Sequence, residues 1–210
     1  MTYWSPLARQ FRRVHRNVPC AHQSREAEII AECILDPATP PGPVVELGAY
    51  KGGMSCKLSL ACREAGRRLF ICDTFSGLPS AETHVTMTGK TKAYHPGYYA
   101  GSVMEVTQAL RQYGALYRTL LIPGDFARTL PEIRANPAVV FMDVDLIASA
   151  KTCIEHLWPR MVSGGRWYIH EASVQTFIEA IVPLVPETVL WGAGYGMGPD
   201  AANLAYWIKT

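Results

Sequence analysis

Pro43-Val44-Val45-Glu46-Leu47-Gly48-Ala49-Tyr50-Lys51-Gly52-Gly53 reads as a buried strand that reaches an acidic residue and enters a glycine-rich turn. A helical pattern follows at once, from Met54 to about Ala65. Strand, glycine turn and helix in that order make a nucleotide pocket. Glycine lets the backbone approach a ligand closely, and a helix N-terminus presents free N–H groups. Leu69-Phe70-Ile71-Cys72-Asp73 is a second apolar strand ending in a carboxylate, about 25 residues after Gly48. In a doubly wound sheet an acid at that place accepts both hydroxyls of a ribose. The two stretches together predict a site for an adenosine-containing cofactor.

Working outward, strands and helices alternate. Strands are expected at 43–47, 68–73, 117–122, 138–143 and 165–170, with helices at 53–66, 102–113, 126–134, 147–161 and 173–182. Val139-Val140-Phe141-Met142 and Leu120-Leu121-Ile122 suit strands buried on both faces. The pattern predicts an α/β fold with a mainly parallel sheet and helices on both faces. Strands at 187–191 and 203–209 have no helix between them. They are joined by Gly192-Ala193-Gly194-Tyr195-Gly196-Met197-Gly198 and are expected to pair antiparallel.

Upstream, residues 5–19 carry a weak helical pattern and Gln23 to Leu35 an amphipathic one capped by Ser24. Asp36-Pro37-Ala38-Thr39-Pro40-Pro41-Gly42-Pro43 stops that helix. The reading divides the chain into an N-terminal helical segment, 1–42, and a cofactor-binding domain, 43–210. The segment is expected to help build an acceptor pocket or a homodimer contact, with Trp4 and Phe11 exposed. Ser76 to Gly101 is long for a connection in a compact domain and reads as a lid-like loop.

A 210-residue chain with 49% hydrophobic and 18% charged residues is globular and large enough for a full core. Net charge of +2 gives no case for nucleic acid, and the cluster Arg9, Arg12, Arg13 and Arg16 reads as a solvated helix face. No stretch is long and apolar enough for a membrane span, and Met1 to Cys20 lacks the apolar core of a signal peptide. The six cysteines form no CxxC pair and read as reduced, buried thiols of a cytoplasmic protein.

In open α/β sheets ligands bind at the carboxyl ends of the strands. The sequence places Glu46, Gly48 and Ala49 at the first of these ends and Asp73, Thr74 and Phe75 at the second. Gly124, Asp125 and Phe126 stand at the third, Asp143 and Asp145 at the fourth, His170 and Glu171 at the fifth. Lining one edge with carboxylates is unfavourable unless a cation, a ribose or an amine is bound there. Asp143 and Asp145 alternate along an extended stretch and so are expected on opposite faces. The spacing of Gly48, Gly52 and Gly53 does not match the GxGxxG of a nicotinamide site. Glu46 beside the turn suits a cofactor with a positive centre and no phosphate, as S-adenosylmethionine is.

Glu46 to Gly53 resembles the first motif of class I S-adenosylmethionine-dependent methyltransferases. With Asp73-Thr74-Phe75-Ser76-Gly77-Leu78-Pro79, Gly124-Asp125-Phe126-Ala127-Arg128-Thr129-Leu130-Pro131 and Leu157-Trp158-Pro159-Arg160-Met161-Val162-Ser163-Gly164-Gly165, it resembles the macrocin O-methyltransferase family. The resemblance implies a Rossmann-like seven-stranded sheet with an antiparallel C-terminal strand. It implies transfer of a methyl group to a hydroxyl, sugar or phenol, of a small natural product. It places Glu46, Gly48, Ala49, Tyr50, Gly53 and Ser55 near the methionine end, Asp73, Thr74 and Phe75 at the ribose, and Gly124, Asp125 and Phe126 at the adenine, with Asp143 nearby.

Relatives and the similar catechol-type enzymes use a divalent metal, Mg²⁺ or Mn²⁺. The resemblance maps its ligands onto Asp143, His170 and Glu171, with His170-Glu171 standing where the family tends to have two aspartates. Two routes stay open: a metal that lowers the hydroxyl pKa, or His170 as the general base beside Asp143. His95 in the long loop is a second candidate base. A cofactor-binding protein without methyl transfer and a nucleotide-dependent oxidoreductase are the competing readings.

Overall fold

The computed structural model describes residues 4–193 and 203–210. In chain order the elements are α1 (Trp4–Asn17), α2 (Ser24–Leu35), β1 (Val44–Leu47), α3 (Gly53–Glu64), β2 (Leu69–Asp73), β3 (Glu82–Val85), β4 (Thr91–Tyr94) and α4 (Val103–Tyr113). They continue with β5 (Thr119–Pro123), α5 (Phe126–Thr129), β6 (Val139–Met142), α6 (Ile147–Leu157), β7 (Arg166–Ile169), α7 (Gln175–Ile181), β8 (Trp191–Ala193) and β9 (Leu204–Ile208).

Seven strands form one sheet in the order β5-β2-β1-β6-β7-β9-β8. β1 lies between β2 and β6 and runs parallel to both, with Val44 opposite Leu69 on one side and Val139 on the other. β9 runs antiparallel to β7 and to β8, so the two final strands pair as expected. Their connection from Gly194 onward lies outside the described residues. The strand order reverses between β1 and β6, and a crevice opens at such a switch point.

Alternation along the strands fills two cores. Val44 of β1 and Phe141 of β6 pack under α1, α2 and α3 with Phe11, Ile30, Ile34 and Leu58. Val45, Leu47, Val140 and Met142 face α6 and α7 with Ile154, Leu157 and Phe177. Glu46 shares its face with Val44 by the period of two, which puts a carboxylate under the glycine turn inside the first core.

Proline sets several boundaries that periodicity alone misplaces. The expected helix 126–134 is α5 plus one 3₁₀ turn over Leu130–Glu132, with Pro131 inside it. α6 likewise tightens into 3₁₀ at Trp158–Arg160 and α7 at Val182–Leu184, each around a proline. β8 begins at Trp191, later than 187, and α2 is preceded by Gln23 rather than Ser24. Gln23 donates its N–H to Glu26 Oε2 at 2.9 Å.

Two larger corrections concern the surroundings of the site. Residues 76–101 are not a bare loop: β3 and β4 form a separate antiparallel hairpin. Phe11 is not exposed; it is 1% accessible, with Leu7 and Val14 beside it. Burying a side chain of that size stabilises by roughly 1.5–3 kcal/mol, so α1 is part of the core and Phe11 is unavailable to a partner. The side chain of Trp4 lies outside the described residues. Among the described residues no helix is long and apolar enough to cross a membrane.

Candidate active site

One cleft lies at the carboxyl ends of β1, β2, β6 and β7, over the switch point. It encloses about 920 Å³ of empty space, part of it open to solvent. Gly48, Asp73, Asp125, Asp143, His170 and Glu171 all face it, from five different loops or strand ends. Tyr50, Thr74 and Phe126 line it as well.

The backbone makes room for this. Gly48 has φ +94°, and a Cβ there would collide with the Asp143 carbonyl oxygen. Only glycine lets β1 and β6 exit so close together. Asp73 is fixed by the main chain: its Oδ2 accepts the Ala49 N–H at 2.6 Å and its Oδ1 the Phe75 N–H at 2.7 Å. The carboxylate therefore bridges the ends of β1 and β2 and stands at the cleft wall. Asp125 caps α5 by accepting the Ala127 N–H at 2.9 Å.

Six residues expected at the cofactor do not line the cleft. Ala49 and Phe75 act through their N–H groups on Asp73, and Gly124 donates its N–H to the Asp73 carbonyl at 2.9 Å. Gly53 packs against the Pro19–Cys20 backbone, where a Cβ would approach to 2.6 Å. Glu46 and Ser55 are fully buried below the turn. Both Glu46 oxygens are without a hydrogen-bond partner among the described residues. Burial pushes its pKa up to about 8, the Ser55 hydroxyl working against the shift.

The polar centre is a chain of ion pairs around Asp143. Its Oδ1 lies 2.9 Å from His170 Nδ1 and its Oδ2 2.9 Å from His22 Nε2. His170 also lies 3.5 Å from Glu171 Oε1 through Nδ1, and its Nε2 is 3.6 Å from Glu26 Oε2. Glu171 in turn is 3.2 Å from Lys92 Nζ and accepts the Tyr94 hydroxyl at 3.1 Å. Burial opposes ionisation of Asp143, but the His170 and His22 charges outweigh it and hold the carboxyl well below its usual range. Against burial, the Asp143 charge raises His22 to about 9 and His170 well above the ordinary imidazole value.

Asp145 behaves in the opposite way. β6 ends at Met142, and Asp145 turns back with φ +58°. Asp143 and Asp145 therefore line the same cleft instead of pointing to opposite faces. Burial, then the Asp143 and Glu171 charges, raise Asp145 to about 8. His95 is exposed, stacked edge-on with Tyr98 at 5.1 Å, and does not line the cleft.

Sequence reasoning misses His22, Glu26 and Lys92 as members of the site, and it places Asp145 at the right strand end but on the wrong face. His22 and Glu26 come from the α1–α2 junction, and Lys92 from β4 of the hairpin. No local motif marks them. The one available signal is the mixture of Lys, His and Tyr in an overlong connection.

The fold and the site define a class: a Rossmann-like methyltransferase sheet with an acid at each of the first two strand ends and a polar centre beyond the switch point. The Macrocin-O-methyltransferase (TylF) family model matches residues 25–182, and the chain belongs to that family. It is 30% identical over 148 residues to an 8-demethyl-8-(2,3-dimethoxy-alpha-L-rhamnosyl)-tetracenomycin-C 4'-O-methyltransferase of Streptomyces olivaceus. That match covers 67% of this chain and 57% of the relative's length, so the aligned part is little more than half of the relative. Among solved structures, the O-methyltransferase NovP superposes with a TM-score of 0.71 at 24% identity, covering 91% of this chain and 83% of its own. CalS11, a calicheamicin methyltransferase, superposes at 0.69 with 16% identity, covering 99% and 93%.

Proposed function

We propose that the protein is an S-adenosylmethionine-dependent O-methyltransferase acting on a hydroxyl of a small natural product, a sugar hydroxyl in the first place. The sugar rests on the relative, whose name places its methyl group on a rhamnosyl unit. The observation that carries the reaction class is Asp145. It is a buried carboxylate in the cleft, raised to about 8, two residues beyond an Asp143 that stays ionised. Two carboxyls pushed apart in this way mark an acid–base site.

The residues fit the cofactor. Asp73 offers a fixed carboxylate for ribose hydroxyls, and Gly48 keeps the wall open. Asp125 and Phe126 line the same cleft. When bound, the cofactor supplies an electrophilic methyl group. Asp145 takes the proton of the acceptor hydroxyl on its carboxylate as the oxygen becomes nucleophilic. Asp143 is held for another role, because its two oxygens are paired with the His170 and His22 imidazoles. His170, a base by the sequence reading, keeps its proton between Asp143, Glu171 and Glu26 and serves to hold them. Tyr98 and Tyr99 also line the cleft.

A divalent metal is tested by the donor set. Oxygens of Asp143, Asp145 and Glu171 lie within 4.8 Å of one another, as do ligand atoms of His22, Asp143 and His170. Distance alone would admit an ion. Glu171 counts against it, because its oxygens already hold the Lys92 ammonium and the Tyr94 hydroxyl. The residues as arranged do not fit a dication.

The test is an incubation of the purified chain with methyl-labelled cofactor and a panel of rhamnosylated aromatic glycosides, with catechols alongside. A product one methyl heavier on a sugar oxygen is the expected result. Methylation of the catechols alone would move the acceptor to phenols. Tight S-adenosylhomocysteine binding with no transfer to any member would favour a cofactor-binding protein without chemistry.

A further inference from the structure

Lys92 reaches the acidic centre from outside the parallel sheet. It stands on β4, and its Nζ lies 3.2 Å from Glu171 Oε2 and 3.4 Å from Oε1. The same ammonium sits 4.7 Å from the centre of the Tyr94 ring, and Tyr94 donates its hydroxyl to Glu171 Oε2 at 3.1 Å. Glu171 is 2% exposed, so these donors complete a buried carboxylate. Lys92 also lines the cleft beside Asp145.

The hairpin that carries Lys92 is anchored on the strand ends. Glu82 accepts the Ile147 N–H at 2.8 Å, and His84 Nε2 lies 3.1 Å from the Asp145 carbonyl oxygen. Thr176 Oγ1 is 3.3 Å from His84 Nδ1 and accepts the Val85 N–H at 3.1 Å. The Met87 N–H donates to the Ser173 carbonyl at 2.9 Å. These contacts fix the strand that brings the Lys92 ammonium to Glu171.

We propose that Lys92 is the built-in counter-ion of Glu171, holding with its ammonium the carboxylate that a divalent cation at the Asp143–Asp145–Glu171 cluster would need as a ligand. The inference rests on the methyltransferase reading for the presence of an acceptor in the cleft. There, the ammonium lines the cleft and favours negative charge developing on the acceptor oxygen. A compact, strongly hydrated ammonium does this without the directional demands of a metal shell.

The experiment is a Mn²⁺ titration followed by electron paramagnetic resonance, on the wild-type chain, Lys92→Met and Lys92→Arg. It needs no acceptor, so failure of the proposed transfer reaction leaves it readable. Circular dichroism melts establish that each variant is folded. The wild type and Lys92→Arg are expected to leave the free-ion spectrum unchanged. Lys92→Met is expected to bind one Mn²⁺ at least about tenfold more tightly, since removing one nearby positive charge is worth that or more. A wild type that binds Mn²⁺ as tightly as Lys92→Met overturns the proposal. So does a Lys92→Met chain that binds none, because the ammonium would then not be what keeps the ion out.

Discussion

Asp73 is positioned before any ligand arrives, since two main-chain N–H groups hold its carboxylate at the cleft wall. A preset acceptor gives hydrogen bonds to a ligand at low ordering cost. Asp73→Ala removes charged hydrogen bonds worth roughly 1.5–3 kcal/mol. Calorimetric titration should therefore show S-adenosylhomocysteine binding about tenfold to a hundredfold weaker. Asp145→Asn belongs to the same scale and should lower transfer by about 10²–10⁴. A base with a pKa of about 8 must lose its proton to act, so the wild-type rate should rise with pH and level off above that value. A wild-type profile flat from pH 6 to 9 would remove Asp145 from the base role. Asp73 is legible in the sequence because strand, acid and distance from the glycine turn are all local. Asp145 is given the wrong direction when strand alternation is carried past Met142, where the chain turns through a positive φ. His22 and Lys92 are illegible as site residues because each reaches Asp143 or Glu171 across the fold.

The elements divide into those the sheet requires and those the cleft requires. The parallel strands are legible as apolar runs, and their helices as 3.6-residue patterns, because burial on both faces leaves little choice of residue. The β3–β4 hairpin is not, because its alternation is weak: only His84 and Tyr94 of its strands are buried. It touches the sheet's edge of acids but pairs with none of its strands. Replacing residues 80–96 by a short Gly/Ser linker should leave the far-ultraviolet spectrum of the α/β core intact while abolishing transfer. Loss of cooperative unfolding would show instead that the hairpin belongs to the core. A finer test is Glu82→Ala, which frees the N–H of Ile147 at the first position of α6. Losing a charged acceptor there should cost about 0.5–2 kcal/mol of stability in denaturant melts.

Over the whole molecule, several buried groups hold protons that the unfolded chain would release. Glu46 rises to about 8, Asp145 to about 8 and His22 to about 9. Each keeps its proton in the fold across a window in which the unfolded chain gives it up. Stability therefore falls as pH rises from the ordinary value of each group to its folded one. For Glu46 that window runs from 4.5 to about 8. Asp143 and Glu171 act oppositely, because their folded values are depressed; their contribution is lost only as pH falls below the ordinary carboxylate range. The two trends predict maximal stability on the mildly acidic side of neutrality and erosion towards pH 9, even though the net charge is close to zero. Glu46→Gln isolates one contribution, since an amide fills the same space without titrating. Its stability should decline less between pH 5.5 and 9 than that of the wild type. The difference is on the order of a few kcal/mol, because a tenfold change in proton affinity on folding is worth about 1.36 kcal/mol. Urea melts at the two pH values measure it. Equal declines in the two proteins would mean that Glu46 ionises inside the fold, and its orphaned oxygens would then need a cationic partner already in place beneath the glycine turn.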